Sequence, residues 1–354
     1  MISRLAQRYQ LRAPIIQAPM AGVSTVTLAA AVSNAGGLGS LGLGHLDTPS
    51  ARQHIQALKK ATSKAFNVNF FCHQPAAPQP DVEAQWLHTL QPYFEQFDAQ
   101  APTELGTGYQ SAWSNPELIA MLCNEQPPIV SFHFGLPEAS ALAQLKAAQI
   151  AIWGCATTLN EALFLEQAGV DAIVAQGVEA GGHRGVFNPL QDTELSLLAL
   201  LNQLKGHISV PIIAAGGLMD GQSIAAALLA GAEAAQLGTA FIASPESAAD
   251  SIYKSKLLST QAYHTAISSV ISGRPARGLY NTMHQQLQPL AAQLPAYPVA
   301  YQAAKALHAA ASAHHNYEYA PHWAGQAAPL ARSLPAAELV QQLITELRQT
   351  PIYT

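Results

Sequence analysis

The stretch PIIAAGGLMDGQSIAAALLAGAEAAQLGT, residues 211–239, decides the fold. Two short apolar runs, Pro211–Ala215 and Ala234–Leu237, flank Gln222–Ala230, an Ala- and Leu-rich segment of helical length. A strand that is apolar throughout is typical of a parallel sheet covered on both faces. The stretch therefore predicts a strand, a helix and a second strand parallel to the first.

The same alternation recurs along the chain towards the N-terminus. Amphipathic segments such as Thr25–Asn34, Pro49–Thr62 and Asn160–Ala168 separate six further strand-length runs. These runs are Pro14–Met20, Leu38–Leu43, Phe66–Phe71, Pro128–Phe134, Ile150–Cys155 and Asp171–Gln176. Eight parallel βα units close into a (β/α)8 TIM barrel, which is the α/β fold that we predict. A doubly wound open sheet is the alternative.

The chain has 354 residues, more than the roughly 250 that a barrel needs. After the third strand comes a Pro- and Gln-rich stretch with helices predicted at Asp81–Gln96 and Pro116–Asn124, too long for a plain crossover. We interpret it as an insertion. The predicted division is a barrel of residues 1–75, 120–250 and 325–354, and a smaller second lobe of residues 76–119 and 251–324.

The charge balance indicates small-molecule partners. The formal net charge is −5, and only 11% of the residues are charged, against about 25% in an average soluble domain. Nucleic acids and membrane surfaces are both bound through basic patches, so we expect neither as a partner. The oligomeric state is left open.

Cysteine usage and the N-terminus indicate where the protein works. Cys72, Cys123 and Cys155 have neither zinc-ligand spacing nor an even number, so we expect no metal site and no disulfide framework. Arginines interrupt the first 12 residues where a signal peptide would be apolar, and no membrane-spanning apolar run follows. We expect a soluble, cytoplasmic protein.

Two glycine-containing loops predict a phosphate site. In a TIM barrel the active site lies at the carboxyl ends of the strands. Gly216 and Gly217 follow the seventh strand, and Gly238 and Thr239 follow the eighth. Glycines let backbone N–H groups approach an anion, and the N-terminus of the helix that follows adds a positive dipole end. The alternative is that these glycines only form tight turns.

A second glycine pattern does not indicate the nucleotide site that it usually marks. Gly37–Gly42 matches the GxGxxG fingerprint of dinucleotide-binding folds. The pattern overlaps the second strand instead of following a strand, and no acidic residue stands about 20 positions later to bind a ribose. We therefore do not predict a Rossmann-type site.

Two histidines stand at strand ends. The sixth strand ends in QGVEAGGHRG, residues 176–185, which places His183 on a glycine-rich loop. Its ordinary pKa near 6.5 suits a general base, and a surface or phosphate-loop histidine is the alternative. His133 ends the fourth strand between Phe132 and Phe134, so it should face away from both rings. A buried, hydrogen-bonded core histidine is the alternative there.

The C-terminal part carries a Tyr/Lys pattern. Pro298 suits the first turn of a helix, and positions four apart share a helix face, so Tyr301 and Lys305 should line one stripe with Tyr297 at its start. Two phenols and an ammonium suit an anionic, conjugated ligand. A packed aromatic stripe with a lysine reaching to solvent is the alternative.

These residues together resemble the nitronate monooxygenase family, formerly called 2-nitropropane dioxygenases, and specifically its class I bacterial branch. The resemblance covers nearly the whole chain, and AGGHRG is its most specific motif. The matching segments are PIIQAPMAGVST at 14–25, NVNFF at 67–71, FHFGLP at 132–137, QGVEAGGHRG at 176–185, PIIAAGGLMDG at 211–221 and QLGTAF at 236–241.

The resemblance implies an FMN-binding barrel and a substrate-binding lobe. His183 would be the catalytic base. Substrate would contact His133, Tyr109, Tyr297, Tyr301 and Lys305. The FMN would contact Met20, Ala21, Gly22, Asn69, Gln176, Gly181, Gly182, Gly216, Gly217, Gln236, Leu237, Gly238 and Thr239. Residues 272–275 are interpreted as the lobe junction, and residues 323–326, which resemble the family's return to the barrel, have no assigned role.

The expected function is FMN-dependent oxidation of alkyl nitronates, such as propionate 3-nitronate, with O2 to a carbonyl product and nitrite. A flavin does the redox chemistry, and the protein positions the reactants. One alternative is an NAD(P)H-dependent quinone or enoyl-thioester reductase on the same barrel. Another is a noncatalytic flavin- or phosphate-binding protein.

Overall fold

The computed structural model describes residues 3–106 and 108–351, and eleven strands lie within them. In chain order the strands are β1 Ile15–Gln17, β2 Gly39–Gly42, β3 Phe66–Phe71, β4 Ile129–His133, β5 Ala151–Ala156, β6 Ala172–Gln176, β7 Gly182–His183, β8 Ile212–Ala215, β9 Ala234–Leu237, β10 Thr265–Ser268 and β11 Ala276–Leu279.

Thirteen α-helices accompany the strands in the described residues. They are α1 Arg4–Arg8, α2 Val26–Asn34, α3 Thr48–Ala61, α4 Pro80–Glu95, α5 Pro116–Glu125, α6 Ala139–Ala147, α7 Leu159–Ala168, α8 Leu197–Leu204, α9 Gly221–Leu229, α10 Ser251–Leu257, α11 Thr282–Leu287, α12 Val299–Ala313 and α13 Ala336–Arg348. Side-chain caps fix several starts; the Thr25 and Thr158 hydroxyls, for example, accept backbone N–H bonds at the N-termini of α2 and α7.

Eight parallel strands form the barrel. Their order around the sheet is β1-β9-β8-β6-β5-β4-β3-β2. A parallel bridge between Ile16 and Leu38 brings β1 against the start of β2 and closes the cylinder. The predicted TIM barrel is confirmed, with each predicted strand in place to within a few residues, and the open doubly wound sheet is wrong.

The GxGxxG pattern is part of this barrel. Gly39–Gly42 is β2 itself, and it pairs with β3 in parallel. A Cβ added at Gly39 would collide with the Ala29 backbone of α2, so the glycine allows the helix to pack closely on the strand. Close packing, rather than a nucleotide, accounts for this glycine.

A second hydrophobic core lies outside the barrel. It combines α4 side chains such as Trp86 and Phe94 with Leu307 of α12 and Tyr319. Both segments of the predicted lobe therefore contribute to one core, which supports the division. The detailed boundaries stay a prediction, and residues 1–2, 107 and 352–354 lie outside the described residues. At the other end of the chain, α13 packs on α2 and α9 of the barrel.

A small antiparallel sheet, which the sequence did not indicate, connects the two parts. Its strand order is β10-β11-β7, and His183 of β7 pairs with Ala276 of β11. His183 was predicted on a glycine-rich loop, and the structure instead places it in the two-residue strand β7. The backbone is held because β11 supplies a hydrogen-bonding partner about ninety residues further along the chain. None of the helices within the described ranges is both long and apolar enough to cross a bilayer.

Candidate active site

A cavity of about 390 Å³ opens at the carboxyl ends of the barrel strands, between the barrel and the second lobe. Every predicted site residue except Leu237 and Tyr297 lines it. Leu237 is 1% exposed and belongs to the core between strands and helices. Tyr297 is buried behind the wall, with its ring centroid 5.5 Å from that of His183. The topology thus gathers residues from both parts of the chain around one space.

Two side-chain amides face this cavity with defined hydrogen-bonding roles. Asn69 Nδ2 donates to the Ser131 carbonyl at 3.1 Å and to its Oγ at 2.9 Å. Both N–H groups are then used, so Asn69 offers its Oδ1 as an acceptor. Gln176 is the converse: its Oε1 accepts from the Gly185 amide at 2.7 Å and from Arg184 Nη1 at 3.1 Å. Its Nε2 donates to the His183 carbonyl at 3.0 Å and keeps one N–H.

The orientation of Gln176 depends on a buried ion pair. Arg184 is fully buried, and its Nε lies 2.7 Å from the Asp192 carboxylate. The same guanidinium donates to the Gly177 carbonyl at 2.8 Å. Because the charge is neutralised and hydrogen-bonded on several sides, Arg184 can remain buried and hold the Gln176 oxygen away from the cavity.

The glycine loops form a cradle that side chains would fill. Gly216 and Gly217 have φ values of +121° and +70°, in the region that favours glycine. A Cβ at Gly181 would lie 2.6 Å from Gly325 N, so this glycine is needed for the approach of the C-terminal segment. All three glycines line the cavity, so they bring backbone without a Cβ to its edge.

The helix that follows the seventh barrel strand does not contribute as expected. The predicted positive end of α9 is occupied by the protein's own carboxylates. Glu346 Oε2 accepts from the Gly221 amide at 2.9 Å, and Asp220 accepts from Ser223 N at 2.7 Å. The helix N-terminus is thus neutralised, and an anion in the cradle would depend on loop N–H groups instead.

His183 and His133 both line the cavity. His183 Nε2 lies 2.8 Å from Ser272 Oγ, and His133 Nε2 lies 3.1 Å from the His183 carbonyl. Burial, followed by the neighbouring His133 and Arg274, lowers the pKa of His183 to about 3. Burial likewise lowers the pKa of His133 to about 4. Both rings are therefore neutral near pH 7, and the ordinary imidazole pKa expected for His183 does not apply.

The aromatic neighbours of His133 differ from expectation. Phe132 is in the core behind the strand, as the alternation of a strand predicts. Phe134 has a φ of +78°, which ends the alternation, and its ring centroid lies 4.5 Å from that of His133. The prediction that His133 faces away from Phe134 is therefore wrong. Arg274 covers the Phe134 ring, with its guanidinium carbon 4.2 Å from the centroid.

The lobe contributes two phenols and an ammonium. The predicted helix is present as α12, and Lys305 and Tyr301 share the face towards the cavity. Lys305 Nζ lies 4.5 Å from the Tyr109 ring centroid and 4.8 Å from that of Tyr301. No carboxylate within the described chain pairs with this ammonium. Burial raises the pKa of Tyr301 to about 12, so its phenol stays protonated.

A family model described as nitronate monooxygenase matches residues 3–346 of this chain. The chain belongs to the nitronate monooxygenase family. It is 53% identical over 339 residues to a nitronate monooxygenase of Paraburkholderia phytofirmans, covering 95% of this chain and 93% of that protein. It is 48% identical over 350 residues to a nitronate monooxygenase of Pseudomonas aeruginosa, covering 98% and 100%.

Solved structures agree with this assignment. A nitroalkane oxidase from Streptomyces ansochromogenes superposes with a TM-score of 0.87 at 38% identity, covering 96% of each chain. FabK from Thermotoga maritima superposes with a TM-score of 0.76 at 28% identity, covering 99% of this chain and 97% of that one. The fold and the family are therefore supported independently by sequence and by structure.

The sequence analysis missed four residues that line this site or contact its histidine and aromatic side chains. Ser272 and Arg274 lie in the segment interpreted only as a junction. Trp323 lies with its ring centroid 5.3 Å from that of His183, and its Nε1 donates to Tyr301 Oη at 3.3 Å. His45 also lines the cavity. No local pattern distinguishes these residues, because each reaches the site only through long-range packing.

Proposed function

We propose that this protein is an FMN-dependent monooxygenase that oxidises alkyl nitronates with O2 to a carbonyl product and nitrite. The observation that carries the proposal is the ammonium of Lys305, which faces the cavity without a carboxylate partner in the described chain, beside the protonated phenol of Tyr301. Cationic and phenolic donors suit the delocalised negative charge of a nitronate. The names of the relatives support the same substrate class.

The residues present fit FMN. The Asn69 oxygen and the free Gln176 N–H offer one acceptor and one donor, as a flavin ring edge with both N–H and C=O groups requires. The cradle of Gly216 and Gly217, with positive φ and no Cβ, leaves backbone N–H groups open to a phosphate. A bound flavin would supply the electron transfer and the reaction with O2.

In this mechanism the protein positions the substrate. Lys305 and Tyr301 bind the nitro oxygens or a second anionic group of the substrate, and Tyr109 covers the ammonium from the other side. The neutral ring of His183 accepts the α-proton when the substrate is a neutral nitroalkane. A nitronate has already lost that proton and needs only to be held.

The pH dependence follows from the lowered pKa of His183. The basic form is present above a pKa of about 3. We therefore expect kcat/KM for a neutral nitroalkane to lack an acid limb from this residue between about pH 5 and 8. Steady-state O2 consumption across that range measures it. An acid limb centred near 6.5, the ordinary imidazole value, would contradict the buried, neutral assignment.

Lys305→Met keeps the aliphatic chain and removes the charge. Nitronates that also carry a carboxylate, such as propionate 3-nitronate, should lose more kcat/KM than ethylnitronate. A partly screened ion pair contributes about 1 kcal/mol, or about fivefold, and more when it is desolvated. Lys146→Met is the control, because Lys146 donates to Ala168 on the outside of the barrel. Equal losses on both substrates would show that Lys305 is structural.

The proposed activity is tested by anaerobic and aerobic assays on purified protein with a measured FMN content. Anaerobic propionate 3-nitronate should change the flavin absorbance, and in air O2 should be consumed with release of nitrite. NADH or NADPH should leave the flavin oxidised. Rapid bleaching by either nucleotide would favour the reductase alternative, and no response to any of these compounds would favour a noncatalytic flavin-binding protein.

A further inference from the structure

Ser272 is the hydrogen-bonding partner of the His183 ring. It lies between β10 and β11, is fully buried, and places its Oγ 2.8 Å from His183 Nε2. The other close neighbours of the His183 ring are aromatic side chains, including Trp323 at 5.3 Å and Tyr297 at 5.5 Å between ring centroids. Among the described residues, Ser272 is the only hydrogen-bond partner of the His183 imidazole.

The direction of this hydrogen bond follows from the surrounding backbone. Ser272 Oγ lies 3.1 Å from the Arg274 carbonyl, which can only accept, and 3.3 Å from the Arg274 amide, which can only donate. No other donor in the described residues bonds the Arg274 carbonyl. Because the large majority of buried carbonyls are hydrogen-bonded, we assign the Ser272 hydroxyl proton to the Arg274 carbonyl.

With its proton used, Ser272 Oγ can only accept from His183. The ring must then carry its proton on Nε2, and Nδ1 has the free electron pair. Nδ1 has no hydrogen-bond partner among the described residues, and His183 lines the cavity. The tautomer is therefore fixed by a chain of two hydrogen bonds that runs from the Arg274 backbone through Ser272 to the ring.

We propose that Ser272 is a positioning residue that holds His183 in the Nε2–H tautomer and so makes Nδ1 the atom that takes a proton from the substrate. The inference rests on the proposed function. In that step the α-carbon to hydrogen bond of a neutral nitroalkane breaks, and the proton goes to Nδ1. The bonding electron pair forms the C=N bond of the nitronate, and the N=O π pair moves onto a nitro oxygen, which takes the negative charge, so charge and atoms balance.

Ser272 also stabilises the product of that step. Protonation at Nδ1 creates an imidazolium in a buried site beside the Arg274 guanidinium, which opposes the added charge. The Nε2–H to Ser272 bond then becomes charge-assisted and strengthens. A wrong tautomer in a comparable histidine site leaves the geometry intact and removes most of the rate. The effect of Ser272 should therefore appear in proton transfer rather than in substrate binding.

The tautomer is measured directly by long-range ¹H–¹⁵N correlation spectroscopy on the ¹⁵N-histidine-labelled holoprotein. His183→Asn, which removes one set of signals, identifies the His183 resonances. We expect a neutral ring with a protonated Nε2 in the wild type, and a mixture of tautomers in Ser272→Ala. A wild-type ring protonated on Nδ1 would overturn the proposal, and so would a Ser272→Ala ring that keeps the Nε2–H form. This readout does not depend on turnover, so it decides the role of Ser272 even if nitronates prove not to be substrates.

Steady-state kinetics of Ser272 variants provide a second test of the proposal. Ser272→Ala should lower kcat for nitroethane about 10- to 100-fold with a small change in KM, and should lower ethylnitronate turnover far less. Ser272→Thr retains the hydroxyl and should recover much of the nitroethane rate. Equal losses on both substrates, or an effect on KM alone, would contradict a role in proton transfer. Absence of nitronate turnover in the wild type would refute the proposed function instead.

Discussion

Gly217→Asp is expected to yield protein that purifies without FMN. Gly217 lines the cavity with a φ of +70°. The substitution places a carboxylate where a phosphate dianion would approach backbone N–H groups, and like charges at close range repel strongly. Glu179 Cβ, 3.3 Å from the position of the new Cβ, restricts the directions in which the new side chain can turn. The flavin absorbance relative to that of the protein reports the result.

Gly217→Asn is the matched control. Asparagine has nearly the same shape as aspartate, tolerates positive φ, and carries no charge. Steric and conformational effects should be similar in the two variants, so the difference between their FMN affinities isolates electrostatics. The Asn variant should retain clearly more FMN when both are reconstituted. Stoichiometric FMN in the Asp variant would show that the glycine pair is only a turn.

His183→Asn should separate two classes of substrate. The variant keeps a polar side chain near Ser272 but cannot accept a proton, and removal of a general base costs about 10²- to 10⁴-fold. Nitroethane activity should collapse by that factor, while turnover of preformed ethylnitronate should survive to a much larger extent. The measurement is steady-state O2 consumption with both substrates on protein of known FMN content.

His133→Asn provides the comparison for this experiment. His133 is also a buried, neutral imidazole, but its Nε2 is bonded to the His183 carbonyl, so we assign it no proton transfer. Its replacement should affect nitroethane and ethylnitronate alike. Parallel losses on both substrates in His183→Asn would remove the base assignment and indicate an orienting role. Loss of FMN in that variant would make His183 a cofactor-loop residue.

The barrel and the location of its site could be predicted from local sequence patterns. Continuous apolar runs such as Ile212–Ala215 report burial on both faces, and burial together with strand-helix alternation specifies a parallel closed sheet. Once the strands are placed, topology requires the loops after them to meet at one end. The glycines at 216–217 and His183 were therefore predicted at one cavity from local patterns, whereas Asn69 was placed there only by the family resemblance.

Only the outline of the second lobe could be predicted from the sequence. The spacing of Tyr301 and Lys305 correctly predicted one face of α12. It did not indicate that Tyr297 would be buried behind the wall, because Pro298 separates it from the helix and its position depends on neighbours such as His73 and Phe134. Helical periodicity predicts which residues share a face only within the helix itself, and Tyr297 lies before α12 begins.

What the sequence by itself determined is the backbone architecture and the set of residues at the strand ends, because both follow from short-range hydrophobic periodicity. Only the tertiary structure decided the chemistry of those residues. Ser272 reaches His183 from 89 positions away, and Glu346 neutralises the end of α9 from 125 positions away. Desolvation of His183 and the charge of Arg274 move the pKa of the ring to about 3. Protonation, tautomer and local field depend on distances between segments that no local pattern encodes, since they are fixed only when the barrel and the lobe pack together.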